Sequence, residues 1–306
     1  MTDSPLPADL HPAGNLRGIV LMVLAMAGFA LEDMAIKMLS ATLPSGQILV
    51  SIGLGGSVVF LASLKPSDRR MMRHVWRHPN VMLRNCAELI GTMAFVTVLA
   101  LAALAPASAI IQANPLIVTA GAVLVFGEKV GLHRWGAVIV GLFGVVLIIR
   151  PWASDFDPAL LLAVVAMLAL ATRDLATRRV PREIPDRVLA TFAFMAVVPA
   201  GLALMLAGVG GAPSWPSVRE WLWLGFGVGF GMLAYWAITA SLRAGEMSVI
   251  ASFRYSRIVF ATLIALFVFG ERPDPLVWAG MAIVIASGLY TLMRERRALE
   301  KRGATR

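Results

Sequence analysis

The chain has 306 residues, of which 58% are apolar and only 15% charged, with a mean hydropathy of +0.78. Soluble domains average about 45–50% apolar and about 25% charged, so this composition points to a bilayer protein. The net charge of +9 would suit a nucleic-acid binder, but the basic residues lie in short loops between apolar runs, and the single cysteine, Cys86, excludes an internal disulfide.

Residues 1–15 are polar and carry Pro5, Pro7 and Pro12, which predicts a disordered tail and not a targeting signal. After them come ten apolar segments, at 16–39, 46–64, 81–103, 107–126, 133–150, 158–179, 188–209, 220–242, 247–270 and 275–293. Each approaches the roughly 20 residues a helix needs to cross a hydrocarbon core. Span one carries Glu32, Asp33 and Lys37, with Asp33 and Lys37 at helix-pairing distance. Asn85, Glu88 and Thr92 make a polar stripe on one face of span three, which reads as cavity lining. In span four Gln112 and Asn114 precede Pro115, which predicts a kink. Asp174 and Arg178 repeat the Asp33–Lys37 spacing at the end of span six, so both pairs read as clasps at helix ends or as gating charges. Tyr235 and Trp236 lie inside span eight and offer rings for stacking, with ordinary packing as the alternative. Span nine buries two arginines, Arg254 and Arg257. Glycines in spans five, eight and ten read as packing surfaces, and spans five and ten as scaffold. The chain reads as a monomer, with those two spans as the face a dimer would use. Residues 295–306 form a basic tail.

The loops decide orientation. With the N-terminus inside, 21 Lys and Arg fall on the cytoplasmic side and 4 on the other, the remaining two being Arg254 and Arg257. That asymmetry is the positive-inside pattern and predicts both termini in the cytoplasm of a bacterial inner-membrane protein.

The chain also repeats itself. Phe126-Gly127-Glu128 and Trp135 recur as Phe269-Gly270-Glu271 and Trp278, 143 residues on. Ala30 to Lys37 matches Ala171 to Arg178 at an offset of 141, which Pro44 and Pro185 keep. Residues 16–150 and 151–294 are therefore two five-span repeats of one integral membrane domain. Because five is odd, the second repeat enters the membrane from the opposite side. Inverted repeats are the architecture of alternating access around a site near the midplane. Glu128 and Glu271 follow a glycine at a helix end and read as caps for the next helix.

Ten helices as two inverted five-helix repeats, each with a Gly-Glu before its last helix, resemble the drug/metabolite transporter superfamily, specifically its EamA-type members. The resemblance covers residues 16–293 and is greatest to the bacterial YddG-type exporters of aromatic and other neutral amino acids. It implies movement of small metabolites through a central cavity by rocking helix groups, and export across the inner membrane. A multidrug or sugar-derivative exporter of the same superfamily, or a channel, is the alternative reading.

Arg254 and Arg257 fall about 10 and about 15 Å into span nine at the α-helical rise. Facing lipid, each would cost about 2.5–3.5 kcal/mol, so both are expected to face protein or a watery cavity. Glu88 matches Arg254 in depth, Asp174 is next, and Glu32 and Asp33 are poorer matches towards the outer side. The pair either meets a substrate carboxylate or fixes helix packing. No metalloprotease, serine-nucleophile or nucleotide-loop motif is present, and the four histidines lie in the tail or loops. The expectation is a non-enzyme without cofactor or metal, taking an amino acid as small-molecule partner.

Overall fold

A bilayer leaves no water to satisfy backbone amides, so a spanning chain must be helical or a closed barrel; the computed structural model of this protein is all-α. It describes residues 12–127, 131–181, 183–244 and 247–303. The first repeat holds α1 (Pro12–Leu39), α2 (Ser45–Ser63), α3 (Pro66–Val75), α4 (Pro79–Leu101), α5 (Leu104–Ile111), α6 (Asn114–Phe126) and α7 (Leu132–Ile149). The second holds α8 (Leu160–Thr177), α9 (Asp186–Leu206), α10 (Val218–Ala244), α11 (Met247–Ile250), a 3-10 turn (Ala251–Tyr255), α12 (Ser256–Phe267) and α13 (Pro275–Gly303). Among the described residues nine helical segments are long and apolar enough to cross a membrane, with α5 and α6 taken together. The tenth span, α11 to α12, contains a 3-10 turn and lies outside that count.

Three features depart from the expected elements. The first is α3, a charged helix in a stretch expected as loop. Pro66 starts it, and the Asp68 carboxylate accepts from the Lys65 backbone N–H at 3.2 Å. Met71, Met72 and Val75 turn its apolar side onto Val188, Leu189 and Phe192 of α9. Arg187 grips Asp68 from α9 and holds that carboxyl below its ordinary range. This tie is present above the usual aspartate pKa and is lost as pH falls through the depressed value. The second is α13, which runs on through the basic tail to Gly303. The third is the broken span four: Pro115 has no N–H to continue α5, so the chain restarts as α6 with proline in its first turn.

The breaks in spans four and nine occupy equivalent positions, since Gln112 and Tyr255 are 143 residues apart. Both Phe-Gly-Glu stretches end their helix with a left-handed glycine, Gly127 at φ 65° and Gly270 at φ 64°. There a Cβ would be strained, which is why glycine stands at the turn.

The packing is pseudo-symmetric. α1 lies on α10, and its equivalent α8 lies on α4. α2 pairs with α9 and α7 with α13, each helix meeting its own counterpart. These self-pairs are antiparallel: Gly46 near the start of α2 meets Gly201 near the end of α9. Gly144 and Gly280 do the same, a Cβ on either falling 2.9 or 2.6 Å from the other's carbonyl. Head-to-tail self-pairs require an axis across the helices, so the two repeats are inverted. The bundle has a Lys37 face, where α1 ends and α8 begins, and an opposite Arg84 face. Gly141, Gly144 and Gly280 are consumed by the α7–α13 contact, whereas Gly136, Gly225 and Gly229 meet nothing within 4 Å.

Tyr255, from the broken span, lies against Gly288 of α13, and its buried hydroxyl has no partner. A methyl at Gly288 would overlap that ring. Gly288→Ala is expected to cost about 1–3 kcal/mol, read as a lower melting temperature of the purified protein. Adding Tyr255→Phe should return part of the loss, because it removes the nearest atom and an unsatisfied hydroxyl together.

Candidate functional site

Charged side chains inside the bundle gather in two clusters, one from each repeat-related group of helices. On α1, Asp33 is 2% exposed and takes a bidentate ion pair from Arg257 of α12, at 2.7 and 2.9 Å. The rings of Phe29 and Phe95 flank that guanidinium at 5.3 and 5.6 Å, a cation–π cage that replaces part of its lost hydration. Glu32 lies beside the pair, against the backbone of Gly231 in α10.

The second cluster is nearer the Arg84 face. Arg173 of α8 reaches Glu88 of α4 at 3.2 and 3.3 Å and its neighbour Asp174 at 2.8 Å. Asn114, at the restart of span four, donates to Asp174 at 2.9 Å. Arg84 stands 3.9 Å from Glu88 and donates to Asn85 at 3.1 Å, and Thr92 completes the stripe with a 3.5 Å contact to Glu88. Arg254 is within electrostatic reach of Asp174. Gln112 donates to the backbone carbonyl of Arg254 at 2.7 Å, joining the two helix breaks.

The clusters correspond through the repeat. Asp33 and Asp174 differ by 141 and Asn114 and Arg257 by 143, so Arg257–Asp33 and Asn114–Asp174 are the same contact made twice. Their charge is opposite. Glu32, Asp33 and Arg257 sum to one negative charge, and Glu88, Asp174, Arg84, Arg173 and Arg254 to one positive charge.

Several expected partners change. Glu88 does not serve Arg254, because Arg173 and Arg84 already hold it. Arg257 pairs with Asp33, which its estimated depth disfavoured. The 3-10 turn rises faster per residue than an α-helix and carries Arg257 farther towards the Lys37 face, and the long side chain covers the rest. Asp33 and Lys37 do not clasp each other along α1. Lys37 instead points to Glu271 at 3.6 Å and to the Ala102 carbonyl at the end of α4 at 2.6 Å. Asp174 takes Arg173 and Asn114, while Arg178 is exposed. Glu271 is a cap, but of α5: it accepts from the N–H groups of Leu104 and Ala105 at 2.7 and 3.1 Å. Glu128 lies outside the described residues. Trp236 is 65% exposed and points away from the interior. Tyr235 turns inward, edge-on to Phe60 at 5.2 Å and packed with Phe194.

Arg84 and Arg173 belong to the interior and not to the loops, where the positive-inside asymmetry sets them. A signal for Arg173 was available: it is the repeat equivalent of Glu32, a charge well inside span one. No group of acidic, histidine and cysteine side chains suited to a metal occurs among the described residues. On the Lys37 face a cavity of about 700 Å³ opens beside Lys37, Ala100, Trp223 and Phe269.

The Glu271 contacts tie α1, the α4–α5 junction and the α12–α13 turn into one latch. Glu271→Ala should strand two backbone donors and leave Lys37 only its carbonyl partners, at about 1–3 kcal/mol. A thermal melt should show that loss, and Glu271→Gln, whose amide oxygen still accepts, should lose less.

An inverted-repeat bundle with two interrupted helices and an ionisable interior is a membrane transporter. The EamA-like transporter family matches residues 16–150 and again 157–293, and the chain belongs to that family, within the drug/metabolite transporter superfamily. It is 28% identical to a riboflavin transporter of Vibrio cholerae over 94% of this chain and 95% of the relative. It is 24% identical to an S-adenosylmethionine uptake transporter of Rickettsia bellii, covering 93% and 96%, and 24% identical to the pseudopaline exporter of Pseudomonas aeruginosa, covering 88% and 94%. A solved crystal structure shares the fold, with a TM-score of 0.61 at 20% identity over 94% of this chain and 98% of the other.

Proposed function

We propose that the protein is an inner-membrane carrier that exports zwitterionic amino acids and metabolites built from them, by alternating access between its two faces. The observation that carries this is the opposed charge of the two clusters. A zwitterion complements both: its carboxylate suits the Arg254 side, where positive charge is in excess, and its ammonium suits the Glu32 side. A purely cationic drug would meet the excess guanidinium charge unfavourably in a low-dielectric interior. Gln112 and Asn114 stand at the interruption of span four, beside Arg254 and Asp174, as polar groups do at midplane sites.

Both termini are proposed to be cytoplasmic, with the Arg84 face inside. Reporter tags placed after Phe126 and after Phe269 should then map to opposite sides of the membrane. The test of function is flux in proteoliposomes with radiolabelled phenylalanine, S-adenosylmethionine, lysine and riboflavin. Saturable, exchangeable flux of the first two is expected. Flux of riboflavin alone would replace this reading with a carrier for an uncharged aromatic cargo, and non-saturable flux would indicate a channel.

A further inference from the structure

The two repeats differ at one equivalent place inside the bundle. In the second repeat Arg173 points at α4 and finds Glu88. Its equivalent in the first repeat, Glu32, points at α10, where the counterpart of Glu88 is Gly231, 143 residues on. One half of the protein closes this contact as an ion pair. The other half sets a carboxylate against a bare backbone.

Glu32 accepts no hydrogen bond and makes no ion pair among the described residues, and the charges around it are accounted for. On its own helix Asp33 spends both carboxylate oxygens on Arg257, and Lys37 is committed to Glu271 and the Ala102 carbonyl. From α12 comes Arg257 itself, one cation for two acids. From the 3-10 turn comes Arg254, in reach of Asp174. From α10 come Gly231 and, a turn on, Tyr235, packed on Phe60 and Phe194. From α4 comes Phe95, over the Arg257 guanidinium. One negative charge is left without a partner in a membrane interior, where an unpaired carboxylate is costly. A metal ion would need several more oxygens than Glu32 supplies. A proton needs only one.

We propose that Glu32 is the proton-carrying group of this transporter: protonated when the interior holds no cargo, and ionised against the cationic nitrogen of the substrate when it does. The inference rests on the zwitterion reading given above. On the cytoplasmic side the arriving ammonium group displaces the proton of Glu32 to water. On the other side the departing substrate leaves the carboxylate to take a proton from water. One proton enters for each substrate that leaves, so an inward proton gradient makes the carrier an exporter.

Two measurements test this on the full-length protein with Glu32→Gln, which keeps the side chain's size, and with Glu271→Gln as the comparison. The first is the pH-difference infrared spectrum of the detergent-purified protein without substrate. The wild type and Glu271→Gln, whose change lies outside the Asp33–Arg257 pair, should show a protonated-carboxyl band that is absent from Glu32→Gln. The second is proteoliposome flux of phenylalanine and of S-adenosylmethionine with and without a pH gradient. With the membrane potential clamped at zero, wild-type accumulation should rise about tenfold for each pH unit of gradient, as one-for-one exchange requires, and the residual flux of Glu32→Gln should not respond to the gradient. A band that survives in Glu32→Gln, or a gradient response that survives, overturns the proposal. If wild type carries neither probe but the band is lost in Glu32→Gln, the zwitterion reading fails while the proton on Glu32 stands.

Discussion

Arg257→Met should be the most damaging single substitution in this protein. It leaves Asp33 and Glu32 side by side on α1 with no cation, 2% exposed in the case of Asp33. Removing one partner of a buried ion pair costs about 3–5 kcal/mol, mainly because the other charge is stranded. Methionine fills similar space between Phe29 and Phe95, so packing loss is a small part of the effect. Purified Arg257→Met should melt far below wild type and extract poorly. The double variant Asp33→Asn with Arg257→Met removes the stranded charge and should recover most of that stability, giving a large coupling energy in the double-mutant cycle. It should not recover flux. The pair joins α1 to α12, and those helices must part and rejoin in a rocking mechanism; a neutral pair keeps the net charge of the cluster but loses the charge-assisted bidentate bond that remakes this contact in each cycle. Wild-type flux in the double variant would reduce the pair to a packing device.

How far the sequence foretold this arrangement depends on the range of each interaction. The spans, their duplication and the paired glycine caps were readable because hydropathy and backbone conformation are local. Glu271 was readable as a cap, since a carboxylate after a left-handed glycine has few other uses. Its actual helix was not, because Leu104 is 167 residues away in sequence. Arg254 and Arg257 were readable as costly charges that had to face inward. Asp174 was readable as the second candidate after Glu88, but the Arg257–Asp33 pair was not, because a depth estimate assumes one rise per residue and span nine contains a 3-10 turn. Adjacent residues show the same limit: Tyr235 and Trp236 differ by about 100° around a helix, enough to send one ring to the interior and the other outward. Arg173 was hidden by its place near a basic loop, and only the repeat alignment sets it at the depth of Glu32.

Arg173→Gln carries the second large effect, and its size should depend on Arg254. Arg173 serves two acids on two helices, Glu88 at 3.2 Å and Asp174 at 2.8 Å, and is the main tie between α8 and α4. Truncating it should cost about 2–5 kcal/mol. The lower end of that range is expected, because neither acid is left bare: Glu88 keeps Arg84 at 3.9 Å, and Asp174 keeps Asn114 at 2.9 Å with Arg254 in reach. This is the contrast with Arg257, whose loss leaves no second cation. Arg254→Gln alone should be mild for stability, since Arg173 still holds Asp174. The double variant should cost more than the two singles added together, because Asp174 is then left with a single amide donor. Melting temperatures of the four proteins settle it: additive losses would mean that Arg254 never substitutes for Arg173, and would leave Arg254 free to meet the carboxylate of the cargo.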